Sequence, residues 1–233
     1  MRKTMMVLTA VGVIWALGTA ARVPQAIAAG GTIAGTVKFA ADPPPARQIN
    51  VTKDLQVCGK EPIYNESLMV DQATRGVKWA VVKVEGAKGK WSGKQATIDQ
   101  RGCKFRPHVL VTPPGKITVV NSDGVLHNFR TTSTKNAPLN RAQPGFRKQM
   151  DVELKQPEVV KVTCDAHPWM AAWIVVSDHP YVAVTDEKGT FKIENVPPGS
   201  YTLEVWQETL GTATQKVTVK AGETVSASFT LKQ

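Results

Sequence analysis

The sequence predicts an all-β chain built as two β-sandwiches, and three observations carry that prediction. Short runs of β-branched and aromatic residues recur along the chain, Gly, Pro, Asn or Asp separates them, and helix-period patterns are nearly absent. Many short strands at regular spacing are the pattern of packed sheets.

The first residues stand apart from that pattern. Arg2 and Lys3 form a basic head, an apolar run extends from Met5 to about Leu17, and Ala26-Ile27-Ala28-Ala29 follows. This order reads as a cleaved secretory leader over residues 1–28, so a periplasmic location is expected. The apolar run is short for a bilayer and no later one is longer, so no membrane span is expected in the mature form. The segment has no twin arginine, and no cysteine near the cleavage point marks a lipid anchor.

Strand-like runs then cover Thr32 to Phe39, Val77 to Val84, Val109 to Thr112, Ile117 to Asn121 and Val125 to Arg130. They continue at Gln149 to Leu154, Val159 to Cys164 and Ala171 to Ser177. After Pro180 come Tyr181 to Thr185, Thr190 to Ile193, Tyr201 to Trp206, Lys216 to Lys220 and Thr224 to Leu231. Asp42-Pro43-Pro44-Pro45 reads as an extended linker, and Asn136 to Phe146 as a loop. Two units are expected, 29–177 and 178–233. The strand 32–39 is free to pair with either.

The chain carries 29 Lys and Arg against 19 Asp and Glu, a net +10. Without Arg2, Lys3 and Arg22 of the leader the balance is +7, which suits an acidic partner or a membrane surface, though a solvated basic surface is the plainer reading. The basic residues are scattered and no base-reading motif occurs, so no nucleic acid is expected.

The chemistry concentrates in Cys164-Asp165-Ala166-His167-Pro168-Trp169-Met170, between two strand-like runs. Thiolate, imidazole and thioether lie within one loop, which Pro168 keeps from continuing as a helix. Asn121-Ser122-Asp123-Gly124-Val125-Leu126-His127 supplies a second imidazole just after a turn. Two His, one Cys and a weak Met ligand form the donor set of a type 1 (blue) copper site, because soft sulfur and borderline nitrogen serve both Cu(I) and Cu(II). One copper ion held by His127, Cys164, His167 and Met170 is the expectation, and a buried free thiol with incidental neighbours is the alternative. If Cys164 is taken by a metal, Cys58 and Cys103 are free to form a disulfide in an oxidising compartment. His108 is either a hydrogen-bonded histidine at a strand start, an extra copper ligand or the fourth member of a zinc set. His179 is read as structural.

These residues resemble the cupredoxins, in amicyanin-like and plastocyanin-like form. The likeness lies in the Cys-x-x-His-Pro-x-Met spacing, the His127-Asn128 pair and the strand that follows the methionine, and it covers roughly 107–177. It implies a Greek-key sandwich for the first unit. It also implies that Asn128 ties the two ligand loops together, that His167 presents its ring edge at the surface as an electron port, and that Pro168 and Trp169 form a docking patch around it. Trp169 is larger than the residue expected there.

The segment Tyr181 to Leu231 resembles the carboxypeptidase regulatory-like domain, a transthyretin-like sandwich. The likeness rests on Val184-Thr185-Asp186, Gly189-Thr190-Phe191-Lys192-Ile193, Val196-Pro197-Pro198-Gly199-Ser200-Tyr201-Thr202-Leu203 and Ala221-Gly222-Glu223. Thr32-Ile33-Ala34-Gly35-Thr36-Val37 is similar to that family's first strand, which would make the copper unit an insertion.

The function these readings imply is single-electron transfer between redox partners such as a c-type cytochrome or a dehydrogenase. The alternatives are copper storage or delivery, and envelope adhesion with a structural metal. An enzyme is not expected, since four histidines in all leave little for a second metal centre.

Overall fold

A computed structural model describes residues 29–93 and 95–233. The expected leader, 1–28, lies outside the described residues. Those residues form sixteen strands and one turn of helix. In chain order they are β1 (Gly31–Phe39), α1 (Leu55–Cys58), β2 (Val81–Glu85), β3 (Ala96–Gln100), β4 (Phe105–Arg106) and β5 (Val109–Thr112). Next come β6 (Gly115–Asn121), β7 (His127–Thr132), β8 (Asn140–Gln143), β9 (Gln149–Leu154), β10 (Glu158–Thr163) and β11 (Ala171–Val176). The chain ends with β12 (Val182–Val184), β13 (Thr190–Val196), β14 (Gly199–Gln207), β15 (Gly211–Val219) and β16 (Thr224–Leu231). No helix among the described residues is long and apolar enough to cross a membrane.

The strands build two sandwiches. One packs the sheet β5-β11-β10-β7-β8 over the sheet β4-β3-β6-β9. Its core includes Ile98, Phe105, Ile117, Phe129, Leu154, Val160 and Ile174. The other packs β13-β1-β16 over β12-β2-β14-β15, around Ile33, Val37, Val82, Phe191, Leu203 and Phe229.

The second sandwich draws on both sides of the expected 177/178 boundary. β1 runs parallel to β16 and antiparallel to β13, and β2 pairs with β12 and β14. The valine-rich run expected in the first unit therefore belongs to the second. Its composition has a physical reason: Val82 and Val84 face their own core, while Val81 turns the other way into a junction with Val109 and Val175. Lys83 and Glu85 share the outer face with Val81 and pair with each other, so the strand alternates, but its partners β12 and β14 lie about a hundred residues on and no local pattern names them. Trp173 and Trp206 meet edge to face across this junction, with ring centroids 5.1 Å apart.

The expected loop Asn136 to Phe146 contains β8, which pairs Asn140–Gln143 with His127–Arg130. β8 is an edge strand of Asn, Arg, Ala and Gln. Its residues show no apolar alternation because all but Gln143 are exposed to water. The turn leading into it is fastened by Glu158, whose carboxylate accepts hydrogen bonds from Ser133, Thr134 and Asn136. Burial raises the Glu158 pKa, but these bonds, led by Ser133, outweigh it and bring the group down to about 2.

Two outcomes follow. Glu158→Gln lowers stability by about 1–3 kcal/mol at neutral pH. Because the folded group is depressed below its ordinary 4.5, the wild-type advantage is complete above that value and fades as pH falls through about 2. Urea unfolding across that window checks it. Gly35→Ala loosens the second sandwich, since a Cβ there would lie 1.5 Å from the Ala227 carbonyl oxygen in the neighbouring strand. A loss of at least about 1–3 kcal/mol is expected from thermal or urea unfolding.

Candidate metal centre

Strand periodicity aims three of the four sulfur and imidazole side chains. On β7, His127, Phe129 and Thr131 form the inward row. On β10, Val160 and Val162 point inward, and Cys164 continues that row one residue beyond the strand. On β11, Ala172 and Ile174 point inward, and Met170 extends the row backwards. Alternation thus carries His127, Cys164 and Met170 to the same core face. β10 lies between β7 and β11 in the sheet, which brings the three row ends side by side. His167 comes from the loop, where the Met170 amide donates to the His167 carbonyl and the Cys164 amide to the Met170 carbonyl.

The donor atoms converge. His127 Nδ1 lies 3.1 Å from His167 Nδ1, and Cys164 Sγ lies 4.0 and 3.8 Å from those two nitrogens. The residues are 0%, 0% and 2% exposed, and Met170 is 1% exposed. Nitrogen and sulfur ligands about 2.0–2.3 Å from a first-row ion stand roughly 3–4 Å apart, so the spacing fits one ion.

The outer nitrogens explain the orientation. His127 Nε2 faces Asp123 Oδ2 at 2.8 Å, and His167 Nε2 faces Asp54 Oδ2 at 2.8 Å. An ionised carboxylate only accepts, so each Nε2 is protonated and donates to it, and each Nδ1 faces inward. Asp123 is held by the amides of Gly102 and Cys103 at 2.6 and 2.8 Å. Burial raises its pKa, and the His127 bond and these amides more than offset that.

Without an ion, His127 keeps a proton: burial works against the charge, but Asp123 and then Cys164 push the pKa up to about 9. Burial raises the Cys164 thiol, while His127 and the Asn128 amide lower it further. An entering cation therefore displaces a proton from the pocket. Burial together with the His127 charge lowers the His167 pKa against the pull of Asp54.

Asn128 bridges the two ligand segments. Its amide donates to Cys164 Sγ at 3.3 Å, its Oδ1 accepts the Asp165 amide at 3.3 Å, and its Nδ2 donates to Asn140. Cys58 and Cys103 form a disulfide. Trp169 is half-buried, its ring centroid 5.2 Å from that of His167 and its Nε1 donating to the Cys103 carbonyl at 3.2 Å. Pro168 is exposed.

Two expectations are corrected. His167 does not present its ring edge at the surface: it is 0% exposed, covered by Asp54 on one side and Trp169 on another. His108 does not join the donor cluster. Its Nε2 pairs with Glu208, on the turn between β14 and β15, and so links the two sandwiches. His179 is buried, and its Nδ1 accepts the Tyr181 amide at 3.2 Å.

Asp54 and Asp123 were not foreseen. Asp123 left a faint signal, standing four residues before His127 within a turn. Asp54 left none, because 113 residues separate it from His167.

The chain matches the model of the carboxypeptidase regulatory-like domain over residues 159–232, a span that includes β12 to β16 and reaches back over β10 and β11. No match was found among curated proteins. Among solved structures, the chain is similar to a copper-containing nitrite reductase from Thermus scotoductus, with 23% identity and a TM-score of 0.34. The alignment covers 40% of this chain and 24% of that one, so the chain spans about a quarter of that enzyme's length. A purple cupredoxin from Nitrosopumilus maritimus aligns with 22% identity and a TM-score of 0.30 over 36% of this chain and all of that one. A methionine-to-alanine mutant of amicyanin in its Cu(I) form aligns with 15% identity and a TM-score of 0.33, covering 41% and 98% of the two chains. Similarities this weak bear no functional weight, and the donor geometry stands on its own distances. The chain is all-β, with one sandwich cupredoxin-like in where its donors sit and the other like the carboxypeptidase regulatory domain.

Proposed function

We propose that this protein is a type 1 copper protein that passes single electrons between redox partners in the periplasm. One observation carries the reading: Nδ1 of His127, Nδ1 of His167 and Sγ of Cys164 meet at one buried point. Met170 stands at the end of the adjacent inward row and would supply the weak thioether ligand. Bound copper supplies cycling between Cu(I) and Cu(II). With four protein donors around it, no position is left open for a substrate.

The protein's own residues perform the remaining tasks. The strands hold the donors in one arrangement for both oxidation states, which keeps rearrangement small. Burial excludes water from the thiolate. Asn128 steadies Cys164 by donating its amide to the sulfur. Pro168 and Trp169 are the docking surface for a partner such as a c-type cytochrome or a dehydrogenase, because Pro168 is exposed and the part-exposed Trp169 lies against the His167 ring at a tilt of 58°.

A second reading, copper storage or delivery, gains from the closed edge of His167, since a covered ligand favours retention. The two readings separate on electron exchange with a c-type cytochrome: fast exchange favours the carrier, and tight Cu(I) binding with negligible exchange favours storage.

Copper-loaded protein is expected to show an intense visible thiolate-to-copper band at one copper per chain. Cys164→Ser removes the band. Met170→Leu keeps it and shifts the potential, because a weak thioether ligand would only tune the ion. A colourless loaded protein overturns the type 1 assignment.

A further inference from the structure

The segment ahead of α1 does something that the donor set does not require. It crosses the outer face of His167 and places a carboxylate on the ring nitrogen turned away from the cluster. We propose that Asp54 is a positioning residue for His167: it holds the ring with Nδ1 aimed at the metal point, favours the oxidised ion, and closes the ring edge to direct contact with a partner. This rests on the copper reading above.

Three independent features support it. His167 Nε2 lies 2.8 Å from Asp54 Oδ2, and His167 is fully buried although it sits on a loop at the end of the sandwich. Asp54 has φ 49°, in the left-handed region that L-residues seldom occupy. The backbone turns there immediately before the single helical turn, whose Val57 and Cys58 amides both donate to the Asp54 carbonyl. An uncommon backbone conformation of this kind persists where its surroundings hold it, and such positions gather at functional sites.

The third feature is the tether. Cys58, four residues on, is bonded to Cys103. Cys103 in turn donates its amide to Asp123, the carboxylate on the other histidine, and accepts the Trp169 indole N–H on its carbonyl. One disulfide thus anchors the supports of both imidazoles. A sulfur of the bridge lies within 4.8 Å of a His167 ring nitrogen, so the tether passes directly beside the ring it steadies.

The direction of the effect follows from charge. A carboxylate on the far side of a ligand ring increases its donor strength and adds negative potential, and both favour Cu(II) over Cu(I). Removing it therefore raises the reduction potential. Asp54→Ala removes charge and acceptor together. Asp54→Asn keeps an acceptor of the same shape, preserves the tautomer, and removes only the charge.

The test uses copper-loaded full-length mature protein and the two variants. Both are expected to keep the thiolate-to-copper band. Both should shift the Cu(I) to Cu(II) affinity ratio about tenfold toward Cu(I), a rise of about 59 mV for one electron. In the metal-free protein, ¹⁵N NMR of the His167 ring should show Nε2–H in the wild type and in Asp54→Asn, with loss of that preference in Asp54→Ala. A band in every variant with potentials within twofold of the wild-type ratio overturns this proposal and leaves the copper centre standing. Absence of the band in the unsubstituted protein overturns the centre and this role with it.

Discussion

The molecule depends on keeping two imidazole nitrogens and a thiol sulfur turned toward one another inside a dry core. Two imidazole nitrogens 3.1 Å apart, with a thiol sulfur within 4.0 Å of each, repel unless a cation or a proton lies among them. A flexible chain would relieve that by rotating the rings. Here His127 is packed beside Phe129 on a central strand, and its outer nitrogen is fixed by Asp123. The cost of the arrangement is spread over backbone ladders, side-chain packing and two carboxylates. Each of these would be unremarkable alone, and together they leave the rings no alternative orientation.

The sandwich explains why such a cluster forms at a sheet end. β7, β10 and β11 are neighbours, so their inward rows converge once the strands stop. Within the strands those rows are filled by Phe129, Val160, Val162 and Ile174, which build the core. One residue further on, the same geometry delivers Cys164 and Met170. The chemistry continues the core packing by one step, and core and centre share one register. A one-residue slip of β10 against β7 would send Cys164 to the outer face of the sheet.

This also shows what could be read from the residues alone. Cys164, His167 and Met170 were legible because they share one loop, where spacing is a spatial fact. His127 was legible through its donor type and the turn before it. The carboxylate on His167 was not, because no local pattern records a contact across 113 positions. The covered ring edge was misjudged for the same reason, since the resemblance that implied an exposed His167 covers roughly 107–177 and carries no information about the segment that bears Asp54. The all-β class was visible in alternation and turn residues. The membership of β2 was not, because its partners β12 and β14 lie about a hundred residues further along and alternation alone does not say which sheet a strand joins.

The chain path adds a last constraint. β1 and β2 precede the strands of the donor sandwich and β12 to β16 follow them, yet all belong to one sheet pair, while Cys58 and Ile63, from between β1 and β2, pack into the donor core. The inserted segment leaves from β2 and returns at β12, and these strands are paired, with Lys83 opposite Val182. Entry and exit are therefore adjacent, the geometry in which one domain tolerates another within it. Closing the outer sandwich still requires the insert to bring its ends together, and for a long flexible chain that costs entropy. A folded donor sandwich removes most of this cost by holding Val109 and Val175 at the junction, where Val81 meets them. The Trp173–Trp206 contact and the His108–Glu208 pair then join the two units side by side, since the Trp173 amide donates to the His108 carbonyl and Glu208 stands two residues after Trp206. The order of strands thus makes the metal-binding unit a scaffold for its partner as well as the holder of the ion.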